Sequence, residues 1–232
     1  RSYSSAASDV YKRQDKISLL AVQGPKAELL CESFTKEDLK SLSNYSFILG
    51  KFAGIDDVII SKTGYTGSGG FELYISNDYA EHIWDKLFSV VNLEVKPIGL
   101  GARDTLRIEM GYCLYGNDLD ESVTPIEANL GWITKLETNF IGSKSIKEQI
   151  ENGIKKKLVG FVINDKGIPR KGYEIFDESE KLIGEVTSGT FSPVLKKGIG
   201  LAYIEKYISS KEIYLKIRNN FIKLEVVKTP FI

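Results

Sequence analysis

Thr63-Gly-Tyr-Thr-Gly-Ser-Gly-Gly-Phe-Glu72 places four glycines within eight residues, just ahead of a carboxylate. Glycine admits positive φ and lets backbone approach a ligand closely. No Lys-Ser/Thr pair completes a GxxxxGK[ST] loop, so a phosphate-cradling nucleotide site of that kind is disfavoured. Glu72 follows the loop on a short apolar strand, where it can accept two parallel N–H bonds from a planar, guanidine-like edge. The same residues also describe a glycine-rich hairpin with an exposed glutamate. Both readings stand on the sequence alone.

Residues 97–112 (PIGLGARDTLRIEMGY) contain Arg103 and Arg107, four apart and therefore on one helical face. An arginine beside a pocket can clamp a carboxylate with a bidentate fork, while an ordinary Arg–Asp or Arg–Glu surface network fits the same spacing. Residues 111–120 (GYCLYGNDLD) follow and lead to 124–132 (TPIEANLGW). Tyr112 and Tyr115 can wall a flat aromatic ligand by stacking, or can be core tyrosines whose hydroxyls reach the surface. The acidic run around Asp118, Asp120 and Glu121 lacks the spacing of an EF-hand loop and reads as a solvated turn. Residues 185–202 (EVTSGTFSPVLKKGIGLA) read as strand, Ser-Pro turn and strand, with an architectural role.

Other chemistries are excluded by composition. Lys plus Arg and Asp plus Glu both number 31, so no net field favours a nucleic acid. No apolar run reaches the length of about 18 residues that spans a bilayer. His82 is the only histidine and sits in an amphipathic stretch, which rules out a histidine-rich zinc site and reads as a helix-surface residue. Cys31 and Cys113 form no CxxC pair, so a reducing cytoplasmic location is the expectation.

The elements that must position these residues follow from pattern. Residues 17–22, 45–52, 57–62 and 71–75 are predicted as strands, and 26–32, 35–42, 78–90 and 99–109 as helices. Residues 144–157 read as a polar connecting helix. Beyond it, six short segments at 157–163, 173–176, 181–187, 198–203, 212–217 and 221–227 alternate with turns and little helix. That spacing suits a small β-barrel or sandwich, and the barrel is the expectation carried forward. The predicted class is α+β, with an α/β-mixed domain over residues 15–153 and a C-terminal β-barrel domain over 154–232. Residues 1–14 (RSYSSAASDVYKRQ) are rich in Ser and Ala and lack periodicity. They resemble a translated cloning adapter, are expected to be non-native or disordered, and are set aside from the fold.

GYTGSGGFE, GLGARDTLRIEMGYCLYGND, TPIEANLGW and EVTSGTFSPVLKKGIGLAY occur in the order and approximate spacing of the hallmark stretches of one family. The chain resembles the T protein of the glycine cleavage system, a tetrahydrofolate-dependent aminomethyltransferase, in its bacterial form. LLAVQGPKA and KTPF fit as well, so the resemblance runs from about residue 17 to residue 232. It implies transfer of a one-carbon unit from the aminomethyl-lipoyl arm of the H protein to tetrahydrofolate, with release of ammonia, giving methylene-tetrahydrofolate. It further implies that Glu72 binds the pterin edge, that Arg103 faces the folate, and that Tyr112 supplies an aromatic wall, with Tyr65 and Tyr115 as weaker candidates. The family's catalytic aspartate comes from an N-terminal region before anything matched here, so no catalytic acid or base is assigned, and Asp56, Asp57 and Asp118 are not substitutes. Two neighbouring readings are a folate-binding module of a sarcosine or dimethylglycine dehydrogenase-like enzyme, and a non-enzymatic folate-binding relative. The first lacks a dinucleotide-binding context here, and the second is expected to carry a different, cysteine-containing motif.

Overall fold

A computed structural model of the chain describes residues 14–206 and 212–232. The expected leader at residues 1–14 lies outside the described residues, except for Gln14, which opens a short 3-10 turn, Gln14–Lys16. The chain separates into two compact units, residues 1–99 and residues 100–232.

In the first unit, β1 (Ile17–Gln23), β2 (Phe47–Phe52), β3 (Ile55–Ser61) and β4 (Gly70–Ser76) form one antiparallel sheet in the order β1-β4-β3-β2. Strand alternation decides which side chains enter the core. Phe71, Leu73 and Ile75 of β4 are buried, and Glu72 and Tyr74 occupy the opposite face. Two helices, α1 (Ala27–Glu32) and α2 (Ala80–Phe88), cover the buried face with Leu30, Cys31, Ile83 and Leu87. The helix predicted over 78–90 is thus shorter, preceded by a 3-10 turn at Asn77–Tyr79.

The short helix expected at 35–42 is absent; those residues form turns. Thr35 Oγ1 accepts the Glu37 N–H, Asp38 Oδ1 accepts the Ser41 N–H, and the Ser41 hydroxyl donates to the Asp38 carbonyl. These side chains bond the local backbone in place of an i→i−4 helix ladder, and only Leu39 is buried. His82 stands on the exposed side of α2, with Nε2 3.1 Å from the Ala53 carbonyl oxygen.

The second unit opens with α3 (Leu100–Glu109), followed after a run of turns by α4 (Ser143–Asn152). Gly153, at φ 81°, stops α4, so the predicted connector helix gives way to a strand before residue 157. The remaining strands are β5 (Lys156–Ile163), β6 (Glu174–Asp177), β7 (Leu182–Ser192), β8 (Lys197–Glu205), β9 (Ile213–Ile217) and β10 (Asn220–Val227). They close into a barrel in the order β10-β5-β8-β7-β6-β9. β5 and β8 are apolar on both faces for a specific reason. Val159, Phe161, Ala202 and Ile204 point into the barrel core, whereas Val162 and Ile199 pack outward against Ile108 of α3. The barrel wall is therefore the floor on which α3 rests.

Candidate functional site

In the first unit, the candidate carboxylate Glu72 stands at one end of the four-stranded sheet. Glu72 lies opposite Ala21 of β1 and Ser61 of β3. The Thr63 hydroxyl donates to Glu72 Oε2 at 2.5 Å. Thr63 is itself fastened by Gln23, the last residue of β1, whose amide Nε2 donates to the Thr63 carbonyl at 3.1 Å and the Phe71 carbonyl at 3.2 Å. Gln23 Oε1 accepts the Thr66 hydroxyl at 3.3 Å, and the Gly24 N–H reaches the Gly69 carbonyl at 3.0 Å. Both ends of the glycine loop are thus tied to the end of β1.

This packing accounts for the glycines. A Cβ on Gly64 would fall 1.9 Å from Gln23 Oε1, and one on Gly70, at φ 137°, would fall 2.2 Å from the Val22 carbonyl oxygen. The close approach that the loop permits is made by its own chain. The loop does join two adjacent antiparallel strands, but Glu72 is half-buried and bonded, not a solvated hairpin charge. Burial, then the Glu72 charge, pushes the Tyr74 phenol above its ordinary value, as expected for two residues on one strand face. Tyr65 is half-buried within the loop.

In the second unit, both candidate arginines lie on α3. Arg107 is 1% exposed and all three of its guanidinium nitrogens are engaged. Nε donates to Asp104 Oδ1, Nη1 to the Tyr112 carbonyl and Asp118 Oδ2, and Nη2 to Ser188 Oγ; Nη2 also lies 2.7 Å from Asp104 Oδ1 as an ion pair. The two arginines four apart thereby divide their roles. Arg107 is a structural tie, and Arg103, one turn earlier, is half-exposed. Tyr112 is half-buried, and its carbonyl takes the Arg107 bond; Tyr115 is 71% exposed.

Reading the acidic run as a solvated turn is incorrect for Asp118, which is 1% exposed. Its carboxylate accepts from Arg107, from the Leu114 N–H at 2.9 Å, and from the hydroxyls of Thr187 and Ser188. The Tyr203 hydroxyl adds a bond to its carbonyl. Two consecutive hydroxyls reach one carboxylate because β7 slips by a residue against β8 at this point: Val186 pairs with Ala202 and Ser188 with Leu201. A bulge of this kind redirects a side chain that would otherwise face away. Asp120 and Glu121, by contrast, are exposed as expected.

Two further hydroxyls of β7 bind α3. Thr190 Oγ1 lies 3.0 Å from Thr105 Oγ1, and Ser192 Oγ donates to buried Glu109 Oε1 at 2.6 Å. Ser188, Ser192 and Asp118 were invisible as partners of α3 in the sequence; the alternating hydroxyls of SGTFS were the available signal. Thr124 and Glu127 bond reciprocally, in the manner of a capping box, though a turn and not a helix follows. Burial pushes the Cys113 thiol up to about 11, the Asp118 charge raises it and Arg107 opposes this, so this thiol is no nucleophile at neutral pH. Among the described residues no His, Cys, Asp and Glu group is arranged to hold a metal ion, and no helix is long and apolar enough to cross a membrane.

The model of the GCVT N-terminal domain matches residues 2–138, and that of the glycine cleavage T-protein C-terminal barrel domain matches residues 156–232. The chain belongs to the glycine cleavage T-protein family. The second match starts at the first residue of β5 and covers all six barrel strands. The aminomethyltransferase of Flavobacterium psychrophilum is 50% identical over 226 residues, covering 96% of this chain and 63% of that protein. That of Porphyromonas gingivalis is 52% identical over 223 residues, covering 94% of this chain and 62% of that protein. The crystal structure of glycine cleavage system aminomethyltransferase T from Bartonella henselae superposes with a TM-score of 0.82 at 31% identity, over 93% of this chain and 60% of that one. This T-protein chain therefore spans less than two thirds of the length of these relatives.

Proposed function

We propose that this T-protein chain holds tetrahydrofolate for aminomethyl transfer. In this reading, a lipoyl-carrying H protein supplies an aminomethyl group on sulfur. Tetrahydrofolate takes the methylene carbon as methylene-tetrahydrofolate, ammonia leaves, and the lipoyl thiol is restored. Glu72 offers its carboxylate to the N–H groups of the pterin edge, a planar pair suited to two parallel bonds. Arg103 faces the folate, Tyr112 supplies an aromatic wall, and Tyr65 and Tyr115 are secondary contacts. No residue is assigned as the catalytic acid or base.

The observation that carries this reading is the match to proteins named aminomethyltransferase at about half identity over 96% of the chain. Its structural support is a half-buried carboxylate on β4, with Oε2 held by the Thr63 hydroxyl before any ligand arrives. The test is calorimetric titration of tetrahydrofolate into the wild type, Glu72→Ala and Arg103→Ala. Each substitution is expected to weaken binding about tenfold or more, the worth of a charge-assisted bond. Unchanged affinity in both variants refutes the site.

A further inference from the structure

We propose that Thr63 is the positioning residue for Glu72, and that Gln23 is the clasp that keeps Thr63 in place; this rests on the reading of Glu72 as the pterin-edge carboxylate. A carboxylate on an exposed strand face samples several rotamers, and freezing it on binding costs entropy. Here the Thr63 hydroxyl takes up Oε2 of Glu72, limiting rotation of the carboxylate plane before any ligand arrives. The hydroxyl is in turn only as well placed as its backbone. Both N–H groups of the Gln23 amide are spent on the carbonyls of Thr63 and Phe71, which flank the glycine loop on its two sides. Phe71 is adjacent to Glu72, so one amide fixes the backbone beside the carboxylate and beside the hydroxyl that orients it.

The glycines belong to the same device. Gly64 and Gly70 each lie where a Cβ would strike Gln23 or its neighbour Val22, at 1.9 Å and 2.2 Å. A side chain at either position would push the clasp away from the loop. The loop's composition thus serves the orientation of Glu72, and no backbone contact to the ligand has to be invoked for it.

The experiment uses the full chain and two ligands, tetrahydrofolate and its 2-desamino-2-methyl analogue, in which a methyl replaces the 2-amino group and only the ring N3–H remains to donate at that edge. Binding is measured for the wild type, Thr63→Val, Thr63→Ser and Glu72→Ala. Thr63→Val keeps the shape but removes the donor, and is expected to weaken tetrahydrofolate binding about tenfold. Thr63→Ser restores the donor and is expected to bind as the wild type does. For the analogue, the loss in Thr63→Val is expected to be clearly smaller, because the oriented carboxylate has fewer donors to meet. Equal losses for both ligands, or no rescue by serine, show a merely structural threonine and overturn the proposal. If Glu72→Ala leaves tetrahydrofolate binding intact, the functional reading itself fails and the inference falls with it. A loss in Glu72→Ala with none in Thr63→Val overturns only the positioning role.

Discussion

Arg107 Nη1 and Asp118 Oδ2 meet at 2.7 Å with side-chain exposures of 1% and 0%, tying α3 to a turn that precedes the barrel. An ion pair so enclosed stabilises little relative to apolar packing, but removing one partner leaves the other charged and buried. Asp118→Ala is therefore expected to destabilise the chain by roughly 3–5 kcal/mol. Urea denaturation followed by far-UV circular dichroism measures this; a loss below about 1 kcal/mol, the range of exposed pairs, refutes the role given to the pair.

Ser192 offers a milder version of the same experiment. Its hydroxyl donates to Glu109 Oε1 and accepts the Leu195 N–H at 3.0 Å, and both Ser192 and Glu109 are buried. Ser192→Ala strands a buried carboxylate oxygen and a backbone donor, with an expected cost of about 1–3 kcal/mol. Ser192→Thr, which keeps the hydroxyl, serves as the control in the same denaturation series.

Gly70→Ala tests the first unit. The new Cβ would meet the Val22 carbonyl, part of the backbone and unable to swing aside, at a φ of 137°. Strain of this kind costs roughly 1–3 kcal/mol. Hydrogen exchange at the β1 and β4 amides should speed up in the variant; unaltered protection there contradicts the steric account.

Cys31 gives the pH prediction. Burial pushes its thiol from 9.0 up to about 12. The folded state favours the protonated thiol, so this contribution to stability is complete below about pH 9 and declines as pH rises from there towards 12. The thiolate is the alkylated species, so iodoacetamide at pH 8.5 should spare Cys31 in the folded chain and modify it in urea. Mass spectrometry of the alkylated peptides reads the result, and modification of the folded chain at the unfolded rate refutes it.

Strand periodicity and turn residues made most of the fold legible in the sequence. All four strands of the sheet and all six of the barrel fall where the strand-like segments and the turns between them placed them, with ends displaced by a residue or two except at β7, which extends to Ser192. The failures have two causes, one local and one remote. At 35–42, helical-looking spacing hid side chains that bond their own backbone. At Asp118, an acidic stretch looked solvated because its partners are remote: Arg107 is 11 residues away and Ser188 is 70. The β7 bulge that brings Thr187 to that carboxylate is a property of pairing with β8, so it has no local trace. Glu72 was singled out by its loop, whereas its support through Thr63 and Gln23, which sits 40 residues before Thr63, required the sheet to be assembled.

Closure of the barrel has a bearing on synthesis. β5 is the first of the six strands to be made, and it pairs with β8 on one side and β10 on the other. Its β10 edge therefore waits until every other strand of the ring has left the ribosome, at a pace of about 5–20 residues per second. During that wait the nascent chain displays LVGFVI, a run that a neighbouring chain could recruit. Lys156 and Lys157 open the strand, beside Lys155, and their charges repel a second copy of the same segment. The strand that waits at the seam thus carries its like charges at the end where its pairing with β8 begins.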